Sequence, residues 1–191
     1  MTSSPAPLFI LIGPSGVGKT TVLERLLQDT DLSVVRFLTT TSRQPREGEK
    51  TGLNYHFVSE QAFQELIQEE RLFEWVNIYG HFYGTQKDRL SELRQGNIPI
   101  ICILELEGAR KIKELDPEHT LVILLSASRA TLIERLKARH GTAEELDKRI
   151  ARIDQELHTY PSLADVTVDN EDGAFEQTVE TIKQIIRTVI K

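Results

Sequence analysis

The chain has 191 residues, and 23 Lys and Arg against 29 Asp and Glu leave a formal net charge of −6. That length suits one domain able to bury its own core, and the acidic balance argues against a nucleic-acid partner while leaving room for a local basic pocket. The lone Cys102 excludes an internal disulfide, and no run approaches the roughly 18 apolar residues of a membrane span, so the expectation is a cytoplasmic protein without a membrane partner.

In chain order, the first apolar run is Leu8 to Ile12. It has no basic segment ahead of it and is too short for a signal peptide, so it is expected to be a strand. Thr20 to Gln28 carries Val22, Leu23, Leu26 and Leu27 at helical spacing. Thr39 to Gly96 breaks this regularity. It starts as a Gly-, Thr- and Arg-rich loop and continues through Tyr55-His56-Phe57 and His81-Phe82-Tyr83-Gly84, which predicts an inserted, partly β subdomain. Ile98 to Leu106 and Thr120 to Leu125 are almost continuously apolar, as strands covered on both faces are. Ser128 to Arg139 is expected to be a helix through Leu132, Ile133 and Leu136, within a charged stretch from Ala127 to Leu157 that Gly141-Thr142 interrupts. Phe175, Val179, Ile182, Ile186 and Val189 mark an amphipathic closing helix. The alternation predicts an α/β fold with a mostly parallel sheet flanked by helices.

Gly13-Pro14-Ser15-Gly16-Val17-Gly18-Lys19-Thr20 follows the first strand and opens a helix, matching G-x-x-x-x-G-K-[ST] at every required position. Glycines let successive N–H groups turn towards phosphate oxygens, and the helix N-terminus adds its dipole. Lys19 is expected to neutralise the β- and γ-phosphates of a nucleotide, the Thr20 hydroxyl to coordinate Mg²⁺, and Thr21 to continue the nucleotide-contacting stretch. A phosphate loop alone does not separate an ATPase, a GTPase switch and a small-molecule kinase.

The acceptor side narrows the choice. Arg43 and Arg46 flank Pro45 three residues apart, a spacing that can present two guanidinium forks to one phosphate. Tyr55 and Tyr83 add hydroxyl donors, and Glu74 adds a carboxylate able to accept from the N1–H and exocyclic amine of guanine. In order and almost residue by residue these stretches resemble the guanylate kinase family. The likeness runs from the phosphate loop through T-T-S-R-Q-P-R-E-G-E-K-T-G-L-N-Y-H-F, F-E-W and Y-G-H-F-Y-G-T to R-L-K-A-R-H-G-T, nearly the whole chain.

The resemblance implies a P-loop NTPase-type parallel sheet and transfer of the γ-phosphoryl group of ATP to GMP, and to dGMP, by a monomer or homodimer. It divides the chain into a core (1–38, 97–126 and 158–191), a GMP-binding insertion (39–96) and a lid (127–157). It assigns Arg43, Arg46, Tyr55 and Tyr83 to the GMP phosphate, Thr39, Glu74 and Thr85 to guanine, and Glu49 to support of the arginine loop. Arg135, Arg139 and Arg149 would bring positive charge to the transferring group as the lid closes. The alternative for that segment is a solvated helix whose charges balance.

Three departures from the family pattern stand out. Thr39 replaces a serine. The strand end that usually carries Asp-x-Asp-x-Gln-Gly reads Ile103-Leu104-Glu105-Leu106-Glu107-Gly108, leaving Glu105 as the acidic residue expected to face the substrates. The family's asparagine near adenine follows the last strand, and here Val168-Asp169-Asn170 offers Asn170 for it only with a different loop length. The altered strand end keeps open a different phosphorylated acceptor, such as a ribose phosphate. A non-catalytic interaction domain is the remaining alternative, against which Lys19 and Thr20 both argue.

Overall fold

Strand β1 (Leu8–Ile12) is buried at all of its positions, because parallel strands lie on both of its edges and helices cover both of its faces. The computed structural model describes residues 5–46, 48–78, 80–138 and 143–190. Around β1 are β2 (Val35–Arg36), β7 (Ile100–Ile103), β8 (Thr120–Ser126) and β9 (Val166–Asp169), in the order β2-β7-β1-β8-β9, all parallel. Strand alternation sorts the side chains. Phe9 and Leu11, with Ile101, Ile123 and Leu125, face a core completed by α1 (Lys19–Leu27), α5 (Arg129–Lys137), α6 (Ala143–Thr159) and α7 (Phe175–Val189). Leu8, Ile10 and Ile12, with Ile100, Cys102, Val122 and Leu124, face a second core under α3 (Lys87–Arg94) and α4 (Leu106–Leu115).

The apolar run from Ile98 to Leu106 is not a single strand. Only Ile100–Ile103 pairs, and Leu106 already opens α4, so strand end and helix start merge into one apolar stretch. The inserted segment forms its own sheet from β3 (Thr40–Thr41), β4 (His56–Phe57), β5 (Leu72–Ile78) and β6 (His81–Gln86), in the order β4-β3-β6-β5. β5 and β6 pair antiparallel, as do β3 and β6, whereas β3 and β4 run parallel. Helix α2 (Glu60–Gln68) packs Phe63 and Leu66 onto Leu72, and Phe63 stacks on Phe82 with 5.4 Å between ring centroids. Ser59 caps α2 by accepting the Ala62 N–H at 3.1 Å. Among the described residues no helix is long and apolar enough to cross a membrane.

Candidate active site

Strands β1, β2 and β7 all end at one edge of the parallel sheet, and a cleft of about 220 Å³ opens there between that edge, the inserted sheet and α6. The carboxyl ends of parallel strands are where such sheets bind ligands. Among the described residues, Lys19, Arg36, Arg43, Arg46, Arg149 and Arg152 line it against the carboxylates Glu49, Glu105 and Glu156. An acidic chain therefore concentrates cations in one concavity, which suits a polyanionic ligand.

One end is the phosphate loop between β1 and α1. Gly18, the N-cap of α1, has φ +98°, and a Cβ there would lie 2.7 Å from Asn170 Nδ2, so both conformation and space require glycine. Lys19 Nζ donates to the loop carbonyls of Gly13 at 2.5 Å and Pro14 at 3.2 Å. Gly13, Pro14, Ser15, Gly16, Gly18, Lys19 and Thr20 line the cleft. Val17 is buried in the core, and its carbonyl accepts from Asn170 Nδ2 at 2.7 Å. Thr21 is exposed on α1, outside the cleft. The amide nitrogen of Asn170 thus donates to the loop backbone, while its buried Oδ1 has no hydrogen-bond partner among the described residues.

The other end is a side-chain network. Arg43 is 8% exposed and donates to Glu49 Oε1 at 3.0 Å and to the Gln44 carbonyl at 2.8 Å. Its guanidinium lies 5.5 Å from the Tyr55 ring centroid and 5.6 Å from that of Phe57. Burial opposes its charge, but Glu49, with Tyr83 and Tyr55 adding to it, holds the guanidinium above its ordinary value. The second Glu49 oxygen accepts the Arg46 N–H at 2.8 Å, so one carboxylate fastens both arginines' segments. The Tyr55 and Tyr83 rings meet edge-on at 6.1 Å, and burial, with Tyr83 adding to it, pushes the Tyr55 hydroxyl up.

Behind this network a smaller recess of about 30 Å³ shares Thr39, Tyr55, Tyr83, Ile103 and Glu105 with the cleft and ends at Glu74. Glu74 is 4% exposed, and Oε1 accepts from the buried Thr85 hydroxyl at 2.6 Å. Burial pushes its carboxyl above the usual range, against the Thr85 bond. A Cβ at position 108 would lie 2.7 Å from Glu74 Oε2, so Gly108 lets α4 close on that carboxylate.

At the end of β7, Ile103 and Glu105 both face the cleft, and the buried Tyr160 donates its hydroxyl to Glu105 Oε2 at 3.4 Å. Glu107 is exposed on α4, 3.8 Å from Arg110. Arg149 lines the cleft from α6. Arg135 does not: its guanidinium holds Asp172 Oδ1 at 3.0 and 2.7 Å and reaches the Val17 carbonyl at 3.4 Å. Arg139 lies outside the described residues. Sequence reasoning missed Arg36, Asn54, Arg152, Glu156 and Tyr160, all of which line the cleft. Positions 149, 152 and 156 fall on one helical face, but their spacing is shared with solvated pairs of the same helix such as Glu144 and Lys148.

Among the described residues no three His, Cys, Asp or Glu side chains group as metal ligands. The Thr20 hydroxyl, exposed beside the loop, suits a Mg²⁺ ion held chiefly by nucleotide phosphates and water.

Residues 6–189 match a family model described as guanylate kinase. The chain is 35% identical over 182 residues to a guanylate kinase of Prochlorococcus marinus subsp. pastoris, covering 95% of this chain and 97% of that protein. It is 38% identical over 183 residues to a guanylate kinase of Caldanaerobacter subterraneus subsp. tengcongensis, covering 94% and 85%. The crystal structure of guanylate kinase from Anaplasma phagocytophilum superposes with a TM-score of 0.79 at 26% identity, covering 98% of this chain and 88% of that one.

Proposed function

The chain belongs to the guanylate kinase family, and from that premise we propose that it transfers the γ-phosphoryl group of ATP to GMP, giving ADP and GDP. One observation carries the reading: a backbone phosphate loop and a two-arginine, two-tyrosine cluster face each other across a single cleft. A phosphoryl transferase needs that arrangement, with donor and acceptor phosphates held in line.

In this reading Gly13 to Thr20 hold the ATP phosphates, and Lys19 turns from its loop carbonyls to them. Arg43, Arg46, Tyr55 and Tyr83 hold the GMP phosphate, with Glu49 keeping both arginine segments in place. Thr39, Glu74 and Thr85 take guanine. The Thr85 bond fixes one Glu74 oxygen, orienting the carboxylate for the two parallel N–H donors that guanine offers and adenine lacks. An oxygen of the GMP phosphate attacks the γ-phosphorus, and the bond from that phosphorus to the bridging oxygen of ADP breaks. Bound Mg²⁺ supplies charge neutralisation at the β- and γ-phosphates. Arg149 brings further charge to the transferring group as residues 127–157 close, joined by Arg139; Arg135 contributes only if Asp172 releases it. The same residues take dGMP as a second acceptor, and ATP and GMP are the small-molecule partners of a cytoplasmic enzyme.

A steady-state assay with ATP, Mg²⁺ and a panel of GMP, dGMP, AMP, CMP and UMP tests this. GMP and dGMP should be the preferred acceptors. A protein that turns over another monophosphate and ignores GMP refutes the assignment.

A further inference from the structure

Helix α6 brings two cations and one anion to the cleft from a single face: Arg149, Arg152 and Glu156. The cations suit a phosphoryl transferase; the anion does not. Glu156 is 9% exposed, and its carboxylate enters the phosphate loop itself, Oε2 accepting the Ser15 N–H at 3.2 Å. Its other oxygen lies 3.6 Å from Arg152 Nε, one helical turn earlier. Burial raises its carboxyl above the ordinary value, with Ser15, Arg152 and Lys19 pulling the other way and Glu105 adding to burial.

We propose that Glu156 competes with the nucleotide's phosphates for the phosphate loop, so that ATP enters by expelling this carboxylate. The inference rests on the kinase reading above, because it takes the loop to be the ATP site. A carboxylate and a phosphate are both oxyanions seeking the same N–H donors, and at a few ångströms in a partly buried site their like charges repel strongly. Glu156 also engages Arg152. Its departure therefore removes an anion from the loop, and because Arg152 stands one turn earlier on the same helix, a motion of α6 repositions both side chains together. The cost falls on the bound complex, so the carboxylate lowers affinity for polyphosphates and eases their release. Glu156 is a positioning residue in this scheme: it acts through Ser15 and Arg152, and no atom of it is transferred.

The test is calorimetric titration of the full chain with ATP and with adenosine, for wild type, Glu156→Gln and Glu156→Asp, with folding checked by circular dichroism. Glu156→Gln removes the charge at constant shape and should bind ATP at least about fivefold more tightly, with adenosine affinity unchanged. Glu156→Asp keeps the charge but withdraws it from Ser15, and should give a smaller gain. A purely structural role predicts weaker binding and a lower Tm, never tighter binding, so ATP affinity that is unchanged or reduced in both folded variants overturns the proposal. If wild type binds no ATP, the kinase reading fails and this one with it. If wild type binds ATP and the variants merely match it, the kinase reading stands and only the competition is refuted.

Discussion

The two ends of the cleft are built from different materials. In the proposed reading the donor end is backbone: a loop of consecutive residues between a buried strand and a helix, which would meet its ligand with N–H groups and one lysine. The acceptor end is side chain: Arg43, Glu49, Tyr55, Glu74, Tyr83 and Thr85 come from separate turns and strands of a small sheet and are held by bonds to one another. A backbone site tolerates side-chain change and fails where a Cβ intrudes, as at Gly18. A side-chain network fails wherever one partner of a buried charge is removed, because the remaining charge is left without compensation.

Four substitutions probe that contrast. Lys19→Ala removes the one charged side chain the donor loop supplies, and kcat should fall by about a thousandfold while Tm stays near that of wild type; a folded variant with unchanged kcat breaks the donor half of the comparison. Arg43→Met strips Glu49 of its main partner. It should raise KM for GMP and lower kcat, about a hundredfold together in kcat/KM, with the Kd for ATP nearly constant. Equal losses for ATP and GMP would mean that the two ends are not separate.

Glu74→Gln should lower the GMP-over-AMP ratio by at least about tenfold. It also carries a stability signature. Burial holds the Glu74 carboxyl above its ordinary value of 4.5, so the folded state binds this proton more tightly than the unfolded chain does. Wild-type stability contributed by this group is present at low pH and is lost as pH rises through the raised value. The glutamine variant lacks that loss, so its Tm relative to wild type should improve from pH 4 to pH 7. A difference in Tm that does not change with pH contradicts the burial of the charge. The smallest effect belongs to Ile103→Asp, which restores an acidic group beside Glu105 and should leave GMP kinetics unchanged or lower KM by about two- to threefold. A large loss of GMP use would show that the apolar side chain at 103 is itself part of the acceptor site.

The same contrast explains what could be read in advance. The donor end is contiguous in sequence, so its motif, its strand and its helix announce one another. The acceptor end becomes legible only through a family resemblance, since nothing local to Glu74 says that Thr85 will stand 2.6 Å away across the β5–β6 pair. The cleft face of α6 escaped for a third reason. Arg152 and Glu156 are an i,i+4 pair of opposite charge, and in sequence such a pair is indistinguishable from the solvated pairs that fill the rest of the helix, such as Glu144 and Lys148. Only the fold shows that one pair faces the phosphate loop.

The turn after β9 has a mechanical consequence. Asn170 grips the Val17 carbonyl, Glu171 accepts from the Ser128 N–H and from the Thr131 hydroxyl at 2.6 Å, and Asp172 holds Arg135. Three consecutive residues thus rivet both ends of α5 to the phosphate loop. A displacement of the helical segment that began at residue 127 would shear the bonds of Ser128, Thr131 and Arg135 to this turn. One confined to α6 would spare them and part only the Arg129–Asp154 and Ser15–Glu156 bonds among the polar ties described for that helix. Closing residues 127–157 as one body would therefore cost the α5 bonds to this turn, a cost that a motion of α6 alone would avoid.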